Sequence, residues 1–371
     1  MLGNMMARPL LVSQILEHGL RHYGDTEIVS RAVEGGIHRY TFREAGPRIR
    51  RAAAALQRLG VGSGDRVATL AWNTWRHYEL YYALSGMGAV IHTINPRLFE
   101  DQIVYIANHA EDRVLCVDLT FLPLVESIVD RLGTVEHFVV LTDREHMPET
   151  TLPGALCYED LLAAEDDGFA WPELDENAAC GLCYTSGTTG NPKGVLYSHR
   201  STVLHAMGAC MQHSVGISRL TRVLPVVPMF HVNAWGVPYA ATMTGATMVF
   251  PGPHLDGASL HELIEAERVN LLMGVPTVWL NLLAHLDREG ATLDTVEKVV
   301  IGGSAVPEAV VRDFAEKHDA FVLHVWGMTE MSPIGTSNAW SPRLADLPPE
   351  ARYRAQLRQG QAVFGVEVEI L

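Results

Sequence analysis

The segment Tyr184-Thr-Ser-Gly-Thr-Thr-Gly-Asn-Pro-Lys-Gly194 packs more chemistry into a short span than any other part of the chain. It follows an apolar run that reads as a strand. Gly187, Gly190 and Gly194 let the backbone turn tightly and approach a ligand without interference from a Cβ. Thr185, Ser186, Thr188 and Thr189 crowd the turn with hydroxyl donors beside backbone N–H groups, and Lys193 adds a positive charge at the far end. Together they form an anion cradle suited to a polyphosphate. An ordinary surface loop would not need four hydroxyls, three glycines and a lysine in so short a span. The P-loop pattern fails as well, because Asn191-Pro192 separates Gly190 from Lys193.

The string Y-T-S-G-T-T-G-N-P-K-G-V resembles the phosphate-binding signature of the adenylate-forming superfamily of acyl-CoA synthetases, luciferases and peptide-synthetase adenylation domains. Two segments downstream agree. Ile301-Gly-Gly-Ser-Ala-Val-Pro307 is similar to that family's adenine-side loop, and His324-Val-Trp-Gly-Met-Thr-Glu330 to its [YW]-G-x-T-E motif. The resemblance covers nearly the whole chain. It implies activation of a carboxylate by ATP to acyl-AMP, followed by transfer to coenzyme A. Such chemistry needs charge neutralisation and in-line positioning more than a covalent nucleophile.

The resemblance also implies roles. Thr185 and Glu330 would hold Mg²⁺, a hard cation that favours oxygen ligands. Thr329 would bond the α-phosphate, while residues 185–190 with Lys193 would hold the β- and γ-phosphates. Trp326 offers a flat face for adenine, with Gly302, Gly303, Ser304, His324, Val325 and Gly327 beside it. Taken alone, Trp326 could as well be core, Glu330 a helix N-terminal carboxylate, and Gly302-Gly303 a plain strand-to-helix turn.

Pro228-Met-Phe-His-Val-Asn-Ala-Trp235 follows a strand and is rich in large apolar groups. In the family this segment lies beside the acyl carboxylate, which implies that His231 sits near the reacting centre. The run resembles the fatty-acyl-CoA ligase branch, where Val232 and Trp235 would line or gate a hydrophobic acyl channel. Packed core residues remain the plainer reading. Short-chain, aryl or sulfur-containing acids are rival substrates. A peptide-synthetase domain fits less well, for no aspartate lies between Met229 and Trp235 to pair an amino group. From another class, a non-catalytic nucleotide- or lipid-binding derivative of the family stays open.

Other constellations have bland explanations. Cys180 and Cys183 have redox or zinc spacing, but residues three apart on a strand point to opposite faces, so two buried thiols are expected. His18 and His22 share a helix face in a pattern that lacks the glutamate of H-E-x-x-H. Arg48, Arg50, Arg51 and Arg58 have helix-like spacing and read as a solvated face.

The elements that must hold these residues alternate between short β-branched runs and helical patterns. That texture predicts α/β architecture with two helix-covered, mainly parallel sheets. Strands are expected at 66–71, 89–92, 114–118, 137–142, 180–184, 221–226, 247–250, 271–274, 298–301 and 321–325. Helices are expected from near Pro9, from a capping box at Thr41–Glu44 with Pro47 as a possible kink, and over 75–85, 276–286 and 307–318. We divide the chain into 1–177, 178–340 with the ATP-binding motifs, and 341–371 as the start of a small β subdomain. Residues 363–371 alternate like an edge strand, and a strand with nothing to pair against suggests a longer protein cut short. The family's C-terminal lid domain, with its catalytic lysine, cannot be assigned, and without it weak turnover is expected.

Composition bounds the partners. The 371 residues carry 28 Lys and Arg against 43 Asp and Glu, a net charge of −15, which argues against nucleic acid. No apolar run approaches the ~18 residues of a membrane span. Five scattered cysteines and the lack of a secretory leader fit a soluble cytoplasmic protein. The resemblance alone raises a homodimer.

Overall fold

The computed structural model describes residue 1 and residues 3–185 and 191–369. In chain order its strands are β1 (Glu27–Arg31), β2 (Ile37–Thr41), β3 (Arg66–Leu70), β4 (Val90–Thr93), β5 (Val114–Val117), β6 (His137–Val140), β7 (Leu156–Cys157) and β8 (Ala179–Thr185). There follow β9 (Lys193–Ser198), β10 (Arg222–Pro225), β11 (Thr247–Phe250), β12 (Leu271–Gly274), β13 (Lys298–Ile301), β14 (Phe321–Gly327), β15 (Ile334–Ser337) and β16 (Gln361–Ala362). They form a seven-stranded sheet, β7-β6-β5-β3-β4-β8-β9, and a nine-stranded sheet, β16-β15-β14-β13-β12-β10-β11-β1-β2. Pairing is parallel except at the edges, where β1–β2, β8–β9, β14–β15 and β15–β16 run antiparallel. Central strands such as β4, β5 and β12 are buried at every residue, as expected for sheets covered on both faces.

The expected strands all occur, within two residues at either end. The sheets do not follow the division 1–177 and 178–340. The hairpin β1–β2 joins the second sheet through β11, with Ile28 opposite Met248. In turn β8 joins the first sheet beside β4. That hairpin and the antiparallel strand β9 carried too little apolar alternation to be noticed. The stretch expected to begin a β subdomain differs more. Residues Pro342–Ala345 and Pro349–Gln356 are helical, only Gln361–Ala362 pair as a strand, and 363–369 are irregular. Gly365 adopts φ +91°, which interrupts an extended run.

Local signals account for the helices. Thr41 caps Phe42–Arg58 in a complete capping box: its hydroxyl accepts from Glu44 N–H at 3.3 Å, and the Glu44 carboxylate accepts from Thr41 N–H at 2.7 Å. Pro47 does not break that helix. Arg58 is exposed as expected, but Arg48 and Arg50 are largely covered. Arg48 pairs with the fully buried Glu79 at 2.6 Å and with Glu159 at 2.9 Å, Arg50 pairs with Glu17, and Arg58 with Glu165 at 2.9 Å. Helical spacing shows which residues share a face, not what packs against it.

Candidate active site

The motif residues gather at the carboxyl ends of β8, β10, β13 and β14, where open parallel sheets present their ligand crevices. Two cavities meet there. One, of about 210 Å³, is walled by Val215, Val232, Trp235, Met273, Val300 and Ile334, with Gly302, Gly303, Val325, Trp326, Gly327 and Met328 along the side of the second sheet. The other, of about 170 Å³, is bounded by Thr93, Asn95, Tyr184, Thr185, Pro192 and Phe230. His231 and Thr329 line both, so these two residues mark the junction.

Thr185 ends β8 and faces Lys193 across the β8–β9 pair, its hydroxyl donating to the Lys193 carbonyl at 3.5 Å. Ser186, Gly187, Thr188, Thr189 and Gly190, the centre of the expected phosphate cradle, lie outside the described residues. Lys193 is exposed, and among the described residues it makes no ion pair. Thr329 and Glu330 lie on a short 3₁₀ turn, Thr329–Met331, immediately after β14. Glu330 is exposed there.

The nucleotide-side residues separate. Val325, Trp326 and Gly327 line the larger cavity, and Trp326 is half-buried. Gly303 lines it too, at φ +80°, a left-handed conformation that favours glycine. Gly302 has a reason of its own: a Cβ there would lie 2.9 Å from Val325 and 3.3 Å from the Trp235 ring, so the missing side chain is filled by protein. Ser304 is exposed outside the cavity lining. His324 does not line the cavity. It is 2% exposed, its Nδ1–H donates to the Leu357 carbonyl at 2.9 Å, and burial lowers its pKa.

The segment after β10 is the most unusual part of the site. Val232, Asn233, Ala234 and Trp235 have φ of 48°, 55°, 49° and 53°, and Gly236 follows at 75°. A left-handed turn costs L-residues roughly 1–2 kcal/mol each, so it persists only where surroundings impose it. Here the neighbouring helix Trp75–Met87 and the loop before it do so. Tyr81 Oη donates to the Met229 carbonyl at 2.5 Å and lies 3.1 Å from Asn233 Oδ1. Asn73 Nδ2 donates to the Pro225 and Val227 carbonyls at 2.8 and 3.0 Å, and its Oδ1 accepts from Met229 N–H at 2.6 Å. The result points the buried Val232 and Trp235 into the larger cavity wall. The His231 ring reaches solvent in the cleft, yet the protein crowded around it lowers its pKa, favouring neutral imidazole.

Spacing gave no sign of Met273, Val300 and Ile334, because apolar residues on buried strands look alike whether or not a cavity adjoins them, and Val215 lies in a turn that no pattern marks. Asn73 and Tyr81 were missed for a similar reason, since neither a loop nor a helix pattern marks a polar group as buried and bridging.

Cys180 and Cys183 are free and buried, against Thr202 and Thr93 respectively, and burial raises both thiols. Among the described residues no group of three His, Cys, Asp or Glu side chains could hold a metal, and no helix is long and apolar enough to cross a membrane.

Two mainly parallel sheets, with the β8–β9 pair, a Thr-Glu turn and an apolar cavity at one strand-end crevice, define an adenylate-forming architecture. A family model described as AMP-binding enzyme matches residues 16–371, and the chain belongs to that family. It stands among the family's AMP-forming acyl-CoA ligases. It is 50% identical over 371 residues to the 3-methylmercaptopropionyl-CoA ligase of Ruegeria lacuscaerulensis, covering 100% of this chain and 69% of that protein. It is 48% identical over 371 residues to the medium-chain-fatty-acid–CoA ligase of Ectopseudomonas oleovorans, covering 100% of this chain and 68% of that protein. Among solved structures, the anthranilate CoA ligase AuaEII in complex with anthranoyl-AMP superposes with a TM-score of 0.83 at 25% identity, covering 97% of this chain and 67% of that one.

Proposed function

We propose that the chain activates an aliphatic carboxylic acid, a fatty acid in the first place, with MgATP and passes the acyl group to coenzyme A. The observation that carries this is the apolar cavity beside His231 and Thr329, which no Lys, Arg, Asp or Glu lines among the described residues. An acid with an amino group would lack a partner there, whereas an alkyl chain would bury against Val232, Trp235, Met273 and Val300. The medium-chain-fatty-acid relative supports the same choice.

The chemistry follows in two displacements. An oxygen of the acid attacks the α-phosphorus of ATP, the bond to the β-phosphate oxygen breaks, and pyrophosphate leaves. The thiol sulfur of coenzyme A then attacks the acyl carbonyl, loses its proton and expels AMP. Thr329 would bond the α-phosphate, and Thr185 to Gly190 with Lys193 would hold the β- and γ-phosphates. Trp326, with Gly302, Gly303, Ser304 and the backbone of His324 to Gly327, would form the adenine side. Neutral His231, at the junction of the two cavities, would sit beside the carboxylate without trapping it as an ion pair.

Thr185 and Glu330 would hold Mg²⁺, whose charge would offset that of the departing pyrophosphate. Both offer hard oxygens, and Glu330 is exposed in the cleft.

The 50% identity to a 3-methylmercaptopropionyl-CoA ligase favours a second reading, a short sulfur-containing acid. ATP–pyrophosphate exchange separates the two, using acids from acetate to palmitate with benzoate and 3-methylmercaptopropionate. Exchange that rises with aliphatic length supports the fatty acid, and a maximum at 3-methylmercaptopropionate supports the alternative. No exchange with any acid, despite MgATP binding, would leave a non-catalytic nucleotide- or lipid-binding derivative. The family resemblance also carries a cytoplasmic location and a homodimer, which fractionation and sedimentation would test.

A further inference from the structure

Tyr197 and His205 belong to no motif, yet both reach the turn that carries Thr329 and Glu330. Tyr197 lies on β9, four residues after Lys193, with its ring 3% exposed. Its hydroxyl donates to the Thr329 main-chain carbonyl at 2.7 Å. Burial pushes the phenol far above its ordinary pKa, so it stays a neutral donor. His205 follows on the helix His199–Cys210. Its Nε2 accepts from Ile334 N–H at 3.4 Å, which places the ring proton on Nδ1. Burial lowers its pKa to about 4, and the neutral ring can therefore accept.

The same imidazole packs against the end of the left-handed turn: a Cβ on Gly236 would lie 2.6 Å from His205 Nδ1. The connection from β14 to β15 is thus tied near its start, at Thr329, and at its end, at Ile334. Both ties come from the arm that begins at Lys193. That arm starts in the seven-stranded sheet, while β14 and β15 belong to the nine-stranded one. No backbone ladder joins β9 to β14, so side chains must set the separation of the two halves of the cradle.

We propose that Tyr197, assisted by His205, is a positioning residue that fixes the Thr329–Glu330 turn against the arm carrying Lys193. It thereby sets the distance across which MgATP is gripped. This rests on the reading that Thr329 and Glu330 hold phosphate and metal. Neither Tyr197 nor His205 would touch the acid or the reacting atoms. The tie acts through the backbone of Thr329, so its removal changes geometry and not the set of ligands.

The test is Tyr197→Phe, which keeps the ring and deletes only the hydroxyl, assayed by ATP–pyrophosphate exchange. MgATP is varied at saturating acid, and then the acid at saturating MgATP. Loss of one ordinary hydrogen bond predicts a rise of about five- to tenfold in the KM for MgATP, with the KM for acid within about twofold. The melting temperature should stay within about 2 °C of wild type. His205→Gln should move the same constant in the same direction.

An unchanged KM for MgATP in Tyr197→Phe overturns the proposal. So does an equal loss for acid and MgATP with a fall in melting temperature, since that is a packing effect. Thr329→Val and Glu330→Gln are measured alongside. If they retain wild-type use of MgATP, the underlying reading of the site fails and takes the proposal with it. If they lose it while Tyr197→Phe does not, only the positioning role fails.

Discussion

Replacing Asn73 by alanine should be among the most damaging single changes outside the motifs. The side chain is 3% exposed and makes three hydrogen bonds to the loop that delivers His231, two to carbonyls and one from an N–H. Each is worth about 1 kcal/mol, and orphaned buried partners raise the total to roughly 3–5 kcal/mol. At about 2 °C per kcal/mol for a chain of this size, the melting temperature should fall by about 6–10 °C. In the fraction still folded, a shift of His231 by about 1 Å should lower exchange activity on the order of a hundredfold. Thermal denaturation by tryptophan fluorescence and the exchange assay read these two effects separately.

Asn73→Asp sharpens the test. A carboxylate keeps the acceptor for Met229 N–H but sets negative charge against two carbonyls, so its folded-state pKa must rise. The folded protein then binds a proton that the unfolded chain releases, and stability should improve as pH falls through the folded pKa toward the unfolded value of about 4. A loss below about 1 kcal/mol for Asn73→Ala, with wild-type exchange, would refute the idea that this bridge positions the loop.

Trp235→Ala should open the cavity wall and shift preference toward longer or branched acids, read from kcat/KM across the panel; an unchanged order would remove Trp235 from the wall. Arg48→Ala strands Glu79, which is 0% exposed, and should cost about 3–5 kcal/mol in denaturant unfolding. Asp118 is buried and its pKa is pushed up to about 7 by that burial, despite the hydrogen bond it accepts from Trp72 N–H at 2.6 Å. Raised above its unfolded value, the group makes the folded state the better proton binder, so stability falls as pH climbs from about 4 to about 7. Asp118→Asn should flatten that slope and gain up to about 4 kcal/mol above pH 7, measured by denaturation at several pH values.

What was legible in the sequence followed from local chemistry. Parallel strands buried on both faces read as short β-branched runs, so β3 to β6 and β10 to β14 could be placed within two residues. The motif strings gave Thr185, Trp326 and Thr329 as residues of one region, and they line its two adjoining cavities. Long-range partners were not legible. Arg48 looked solvated because Glu79 and Glu159 approach from other elements. His324 sat inside a motif string, yet its bonding to Leu357 depends on a helix 33 residues away. The left-handed turn at Val232–Gly236 had no signal either, since Val, Ala and Trp are residues that avoid such a conformation, and only Tyr81 and Asn73 explain why they accept it.

The placement of the first hairpin has a consequence for synthesis. Ile28 of β1 pairs with Met248 of β11, so the β1–β2 hairpin waits for about 220 further residues before the strand that joins it to its sheet exists. At roughly 5–20 residues per second, that is a delay on the order of ten to forty seconds. The loop-closure entropy of so long a separation grows only as (3/2)RT ln n, so the cost is modest at equilibrium and severe in time. Until then Val29 has no core to enter, for every other residue of its cluster lies at Leu224 or beyond. The hairpin therefore joins the nine-stranded sheet only late in synthesis, and production of this enzyme should respond more to chaperone supply than its stability alone would suggest.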